Sequence, residues 1–355
     1  MMLRLIAFLF ALSCLVSQMN ADPSDGSVSL DWTPLPSLPN TPGVASPFVG
    51  TSNGVLLVAG GANFPDAPPW KNGTKVWHDD IYALIDQKWR VVGMLPKPMA
   101  YGISFTTQKG VLCAGGSDAQ RHLTDVFLMR FVAGRIEFER FPDLPVPIAN
   151  ACGVRTGRIV SIAGGTESPT STHASSGFYS LDLAAEKPQW TKLPDVPGPG
   201  RMLSIAATDE KSIFIFSGAS LSPGNDGKPA RTYLRDAWQF DIARSVWQRR
   251  ADLPFATVAA PSPAAVTQSG KIVILGGDDG SHVGFQPPEQ HPGFLKTAMI
   301  YDPLADQWTS EIPLNISRVT VPLAKTEDGF VLASGEARPG VRSPEVWRLK
   351  INEQE

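Results

Sequence analysis

The residues of this chain best suited to chemistry lie in Ser334-Gly335-Glu336-Ala337-Arg338-Pro339-Gly340-Val341-Arg342. Pro339-Gly340 fits the two central positions of a type II turn: proline fixes φ at the first and glycine supplies a positive φ at the second. Such a turn doubles the chain back and brings Arg342 beside Glu336. A carboxylate next to a fork-shaped cation can move a proton while the cation holds an anion, which suits an acidic sugar. The same spacing would also serve a structural ion pair that ties down a loop. Arg338, on the same turn, joins the candidate binding residues.

A second group opens two segments expected to line the same surface, Ala100-Tyr101-Gly102 and Pro199-Gly200-Arg201. Tyr101 could stack on a sugar or hydrogen-bond it, and Arg201 could hold a carboxylate; packing and solvent exposure are their plainer readings. Asn63, with Lys71, belongs to a long loop expected to shape the choice of ligand. The five histidines, at 78, 122, 173, 282 and 291, show no HxH or HExxH spacing, so no metal site is expected. Tyr82, Tyr179 and Tyr301 read as packing residues of strands rather than as ligands of a metal.

These residues need a scaffold, and the chain repeats one six times. An aromatic residue opens a stretch ending at a Pro-marked turn: Trp32-TPLPSLP, Trp89-RVVGMLP, Phe138-ERFPDLP, Trp190-TKLPDVP, Trp247-QRRADLP and Trp308-TSEIPL. Between them stand apolar runs closing on small residues: VLLVAGG, VLCAGG, IVSIAGG, IFIFSG, IVILGG and FVLASG. The aromatic markers recur every 49 to 61 residues. A period near fifty with a Gly doublet and a later Trp marks kelch repeats, each a four-stranded blade of a β-propeller. The expected fold is therefore all-β, a six-bladed kelch propeller. The last repeat lacks a fourth strand, and Leu30-Asp31-Trp32-Thr33 supplies one, so the N-terminal strand should close the sixth blade. Loops after second and fourth strands then share one face. All five histidines and the longest insertions, 62–80, 219–235 and 278–296, follow second strands, which places the site on that face around the central channel.

Composition narrows the partners. The chain has a net charge of −3 and no basic stripe, which excludes nucleic acid and anionic membranes. In residues 1–21, Arg4 precedes an apolar run from Leu5 to Val16, which reads as a secretory signal peptide too short to span a bilayer. Cleavage after Ala21 would deliver residues 22–355, the whole propeller, to the periplasm or the exterior. Cys14 follows Ala11-Leu12-Ser13, a poor match to a lipoprotein box. Cys113 and Cys152 fall in neighbouring blades and read as buried free thiols; a disulfide would require them to face each other.

GEARPGVR closely resembles the GEAKPGLR-type motif of bacterial N-acetylneuraminate epimerases, the kelch-type sialic acid mutarotases. VASPFVGTSNGVLLVAGGANFP, with the NGTK and DDIYAL that follow, is similar to a family blade, and so is AYGISFTTQKGVLCAGG with TDVFLM. PGPGRMLSIAATDEKSIFIFSG is a looser match. The resemblance implies a mutarotase that interconverts the α and β anomers of N-acetylneuraminate or a related acidic sugar, without cofactor or metal. It also implies a catalytic role for Glu336, with Arg342 as partner and Arg201 assisting at the substrate carboxylate. In the familiar family order the GEAKPGLR blade lies mid-chain and precedes the GGANFP blade. Here the two motifs stand at opposite ends, so the chain resembles a cyclically permuted group. The competing class is a non-catalytic kelch propeller that binds a glycan or protein through the same face.

Overall fold

The computed structural model describes residues 28–39, 42–224 and 227–353; the expected leader, its cleavage point and Cys14 lie outside them. Short runs of Val, Ile, Leu and Phe, punctuated by Gly, Pro, Asp and Asn, pair into six four-stranded antiparallel sheets. Blades 1 to 5 occupy residues 48–94, 103–140, 152–193, 205–250 and 265–313. Blade 6 takes three strands from residues 323–353, and Val28–Leu35 pairs antiparallel with Val346–Glu353 to complete it. The N-terminal strand thus closes the ring as its sequence suggests. Helix among the described residues is limited to two short turns, Pro69–Lys71 and Pro288–Gln290, and no helix is long and apolar enough to cross a membrane.

A single sheet cannot bury both of its faces, so each gap between blades holds its own apolar cluster. In the gap between blades 3 and 4, for example, Phe178, Phe240 and Trp247 meet with ring centroids 5.0 to 5.2 Å apart. The recurring Trp does a second job. Its indole N–H reaches a carbonyl in the Pro-marked turn of the preceding blade: Trp89 to Pro36 at 2.7 Å, Trp190 to Pro142 and Trp247 to Pro194 at 2.8 Å, and Trp308 to Ala251 at 3.2 Å. This bond explains why the aromatic and the Pro turn travel together in sequence. Phe138 has no such donor and packs edge-on against Phe127 instead.

Two backbone devices shape the mouth of the channel. The first is the doublet at the end of each second strand, whose leading residue adopts a φ of 54 to 72° in every blade. A Cβ on Gly60, Gly115 or Gly164 would stand 2.4 Å from a backbone carbonyl oxygen, which is why glycine prevails there. Blades 4 and 6 carry Ser217 and Ser334 at that position, fully buried, with hydroxyls that accept the amides of Thr257 and Val44. In the last blade the doublet is therefore Ser334-Gly335, and Glu336 follows it. Its counterparts in blades 1 to 5 are Ala62, Ser117, Thr166, Ala219 and Asp278, each bridged in the same way to the segment leading into the first strand.

The second device is a ring. Ser46, Tyr101, Asn150, Leu203, Ala259 and Thr320 occupy equivalent places just before the innermost strands, all with φ between 45 and 62°. Each amide donates to the carbonyl of its predecessor over 2.6 to 3.2 Å, and Ser46 closes the circle onto Thr320. Left-handed backbone is unfavourable for residues with a Cβ, so six in a row persist only because the surrounding circuit holds them. Cys152 lies beside this ring, and both it and Cys113 are buried and free. Burial pushes the Cys152 thiol up to about 12, against the weaker opposing charge of Arg201.

Candidate active site

Glu336–Arg338 and Val341–Arg342 form a two-stranded hairpin over the channel mouth, with Glu336 directly opposite Arg342. Gly340 has a φ of +77°, as the second central position of a type II turn requires. A Cβ there would lie 2.6 Å from Pro69 of the blade 1 loop, so close approach also demands glycine. The turn brings two donors to one carboxylate oxygen. Oε1 of Glu336 accepts the Gly340 amide at 2.5 Å and Nη1 of Arg342 at 3.0 Å. Oε2 lies 3.3 Å from the hydroxyl of Thr320, a ring residue whose single proton also has the Val319 carbonyl at 2.7 Å. Oε1 is thus the anchored oxygen, and Oε2 is the one turned toward the channel.

Arg342 is nearly buried, its side chain 4% exposed against 16% for Glu336. Its Nε reaches the carbonyl of Ala62 at 3.4 Å, and its guanidinium lies over the Phe64 ring at 5.0 Å. The ammonium of Lys75 stands 5.1 to 5.7 Å from the centroids of Phe64, Trp77 and Tyr101. Phe64 is therefore shared by two cations, Lys75 and Arg342, the second of which is also paired with Glu336. Tyr101 keeps its place in the site: it is half-buried, belongs to the ring and lines a cavity of about 60 Å³ together with Ser46, Asn150 and Thr320. Lys75, Phe64, Trp77 and Thr320 are the site residues that sequence reasoning missed. Only the alternation in Lys75-Val76-Trp77, which puts Lys75 and Trp77 on one side, hinted at them.

Four expected residues are placed elsewhere. Arg201 is not available to a carboxylate: its side chain is fully buried and forms a bidentate pair with Asp236 at 2.7 and 2.9 Å. Nη1 and Nη2 also meet the carbonyls of Ser217 and Pro197, and Nε is left buried without a partner among the described residues. Asn63 is also fully buried. It donates to the Gly43 carbonyl at 2.8 Å and lies 2.8 Å from Nε2 of His78, so it supports the loop from below. Burial holds His78 below its ordinary value, against the nearby charges of Asp80 and Asp79. Arg338 turns outward to the Glu289 carbonyl at 2.6 Å and ties the hairpin to the blade 5 loop. Lys71 is exposed at the end of the short turn Pro69–Lys71.

A family model described as N-acetylneuraminate epimerase matches residues 20–137 and 141–286. The chain belongs to the N-acetylneuraminate epimerase family. It is 39% identical over 104 residues to the N-acetylneuraminate epimerase of Yersinia pestis (strain Pestoides F), covering 24% of this chain and 26% of that relative. It is 36% identical over 125 residues to the N-acetylneuraminate epimerase of Haemophilus influenzae (strain PittEE), covering 31% and 33%. The chain thus spans between a quarter and a third of the length of these epimerases. The solved "Structure of YjhT" superposes with a TM-score of 0.63 over 90% of this chain and 99% of that one, at 14% identity, a likeness of fold.

Proposed function

We propose that this member of the epimerase family is a mutarotase that interconverts the α and β anomers of N-acetylneuraminate or a related acidic sugar. Such a sugar carries its carboxylate on the anomeric carbon, so inverting that centre requires opening the ring to the ketone and closing it on the other face. Oε2 of Glu336 takes the proton of the anomeric hydroxyl, the bond from the anomeric carbon to the ring oxygen breaks, and the ring oxygen receives that proton. After rotation about the adjacent carbon–carbon bond the same steps run in reverse. Lys75 and Arg342 offer the substrate carboxylate a cationic rim, with Lys75 in the role first expected of Arg201. Tyr101 and Thr320 face the sugar from the ring. The chemistry asks for no cofactor.

The observation that carries this reading is the division of labour within one carboxylate. Oε1 is held by the Gly340 amide and Arg342, while among the described residues Oε2 meets only the hydroxyl of Thr320, a member of the ring. The family match ends at residue 286, before Glu336, which supports a rotated order of blades. The leader expected in residues 1–21 would put the reaction outside the cytoplasm. The test follows freshly released α-N-acetylneuraminate by proton NMR in the presence of purified protein. Wild type should accelerate the approach to equilibrium, and Glu336→Gln should lose about a hundredfold or more of that rate. Full rate in the variant would remove Glu336 from the mechanism. Tight binding without any acceleration would favour the binding-module class.

A further inference from the structure

Outside the Glu336 site, the same face carries a cleft of about 790 Å³. Its walls come from the loops of blades 1, 4, 5 and 6, and its principal side chains are Trp70, Arg231, Tyr233, Asp278, His282 and Phe285. The volume lies toward the upper end of the usual range for small-molecule clefts, about 300 to 1,000 Å³, and exceeds what a single sugar ring needs. One wall is shared with the site described above: Gly340, whose amide anchors Glu336, also lines the cleft. The lining mixes ring faces with fixed polar groups. The Tyr233 hydroxyl donates to Asp278 at 2.9 Å, and the Tyr233 ring packs over Gly280, where a Cβ would meet it at 3.0 Å. His282, Phe285 and His291 meet edge-on, with centroids 5.5 to 5.8 Å apart. Nδ1 of His291 accepts the Gly293 amide at 3.0 Å, which leaves the proton of the neutral ring on Nε2 as a donor. Burial and the charge of His282 hold His291 below its ordinary value, so at neutral pH it presents this uncharged form.

Aromatic faces beside oriented hydroxyl, carboxylate and imidazole groups are the chemistry that recognises a sugar ring. We propose that the cleft binds a second glycosyl unit attached to the reacting sugar, so that the protein acts on the reducing end of an acidic disaccharide. This rests on the mutarotase reading, because a free anomeric hydroxyl is needed and the second unit must hang from a hydroxyl elsewhere on the ring. The probes are N-acetylneuraminate and its 8-O-linked disaccharide, assayed by NMR with wild type and with His282→Ala/Phe285→Ala. The double variant should lower kcat/KM for the disaccharide about tenfold and leave the monosaccharide within about twofold. Equal losses on both substrates, or a wild type that turns over only the monosaccharide, would overturn the proposal. If wild type accelerates neither, the mutarotase reading has failed. Calorimetric binding of the disaccharide then decides the cleft alone: a tenfold weaker Kd in the variant supports it, and an unchanged Kd sinks it.

Discussion

Glu336 and Arg201 are both charged residues in contact with an opposite charge, yet they stand for two different uses of a pair. At Glu336 one oxygen is spent on holding position and the other faces the channel. At Arg201 nearly every donor is consumed within the fold, and Asp236 also receives the Trp238 indole at 2.7 Å. Burial works to raise the Asp236 carboxyl, but the hydrogen bonds and charge of Arg201 prevail and hold it below its ordinary 3.8. A depressed carboxyl stabilises the fold fully above its unfolded value, and that contribution is lost as pH falls through the lower folded one. Arg201→Met would leave a buried carboxylate uncompensated and should cost about 3 to 5 kcal/mol, read as a lower urea midpoint at pH 7. Arg201→Met/Asp236→Leu should recover much of that loss and drop the acid-dependent part that wild type loses as pH falls below the ordinary carboxylate value of 3.8. A single variant as stable as wild type would contradict the pairing.

Elements carry the arrangement from residue to residue. The closing strand Val28–Leu35 contributes Val28, Leu30 and Trp32 to the cluster between blades 5 and 6. Without it, Val346–Glu353 becomes an open edge, a template for pairing with other chains. A chain beginning after Leu35 should therefore lose its cooperative thermal transition and elute as aggregates in size-exclusion chromatography. A monomeric, cooperatively melting truncation would show that blade 6 stands without its fourth strand. Strands of this kind were legible in the sequence because each repeats its grammar six times, and the Glu336–Arg342 hairpin was legible because Pro339-Gly340 announces its own turn. Contacts between segments far apart in sequence were not. Asp236 meets Arg201 only after a whole intervening hairpin, Ala219–Pro223 with Pro229–Tyr233, so the spacing of Arg201 looked like that of a solvent-facing residue. Lys75 was silent for the same reason, since Tyr101 reaches it from the connection to the next blade.

At the scale of the whole molecule, the ring of blades has no natural beginning. Val28 lies opposite Glu353 in one sheet, so the first and last described residues of the propeller are neighbours in space. Joining them with a short Gly/Ser linker and reopening the chain after Asn315 should give a protein that folds and keeps its rate within about threefold, since closed domains with adjacent ends tolerate permutation. An inactive but folded permutant would mean that the connection from blade 5 to blade 6 helps to hold Thr320 against Glu336.

The hydrogen-bonded circle at the mouth has one more result. Every one of its amides is spent on a neighbour, so the floor offers a ligand no backbone donor, only carbonyl oxygens and the side chains of its six members. Those side chains are not mixed at random. Thr320, Ser46, Tyr101 and Asn150 follow one another around one arc, and Leu203 and Ala259 complete the other. A scaffold of near six-fold symmetry thereby acquires a wet side and a dry side. A sugar whose hydroxyls crowd one edge and whose methylene or methyl groups crowd the other has a single way to lie down on it.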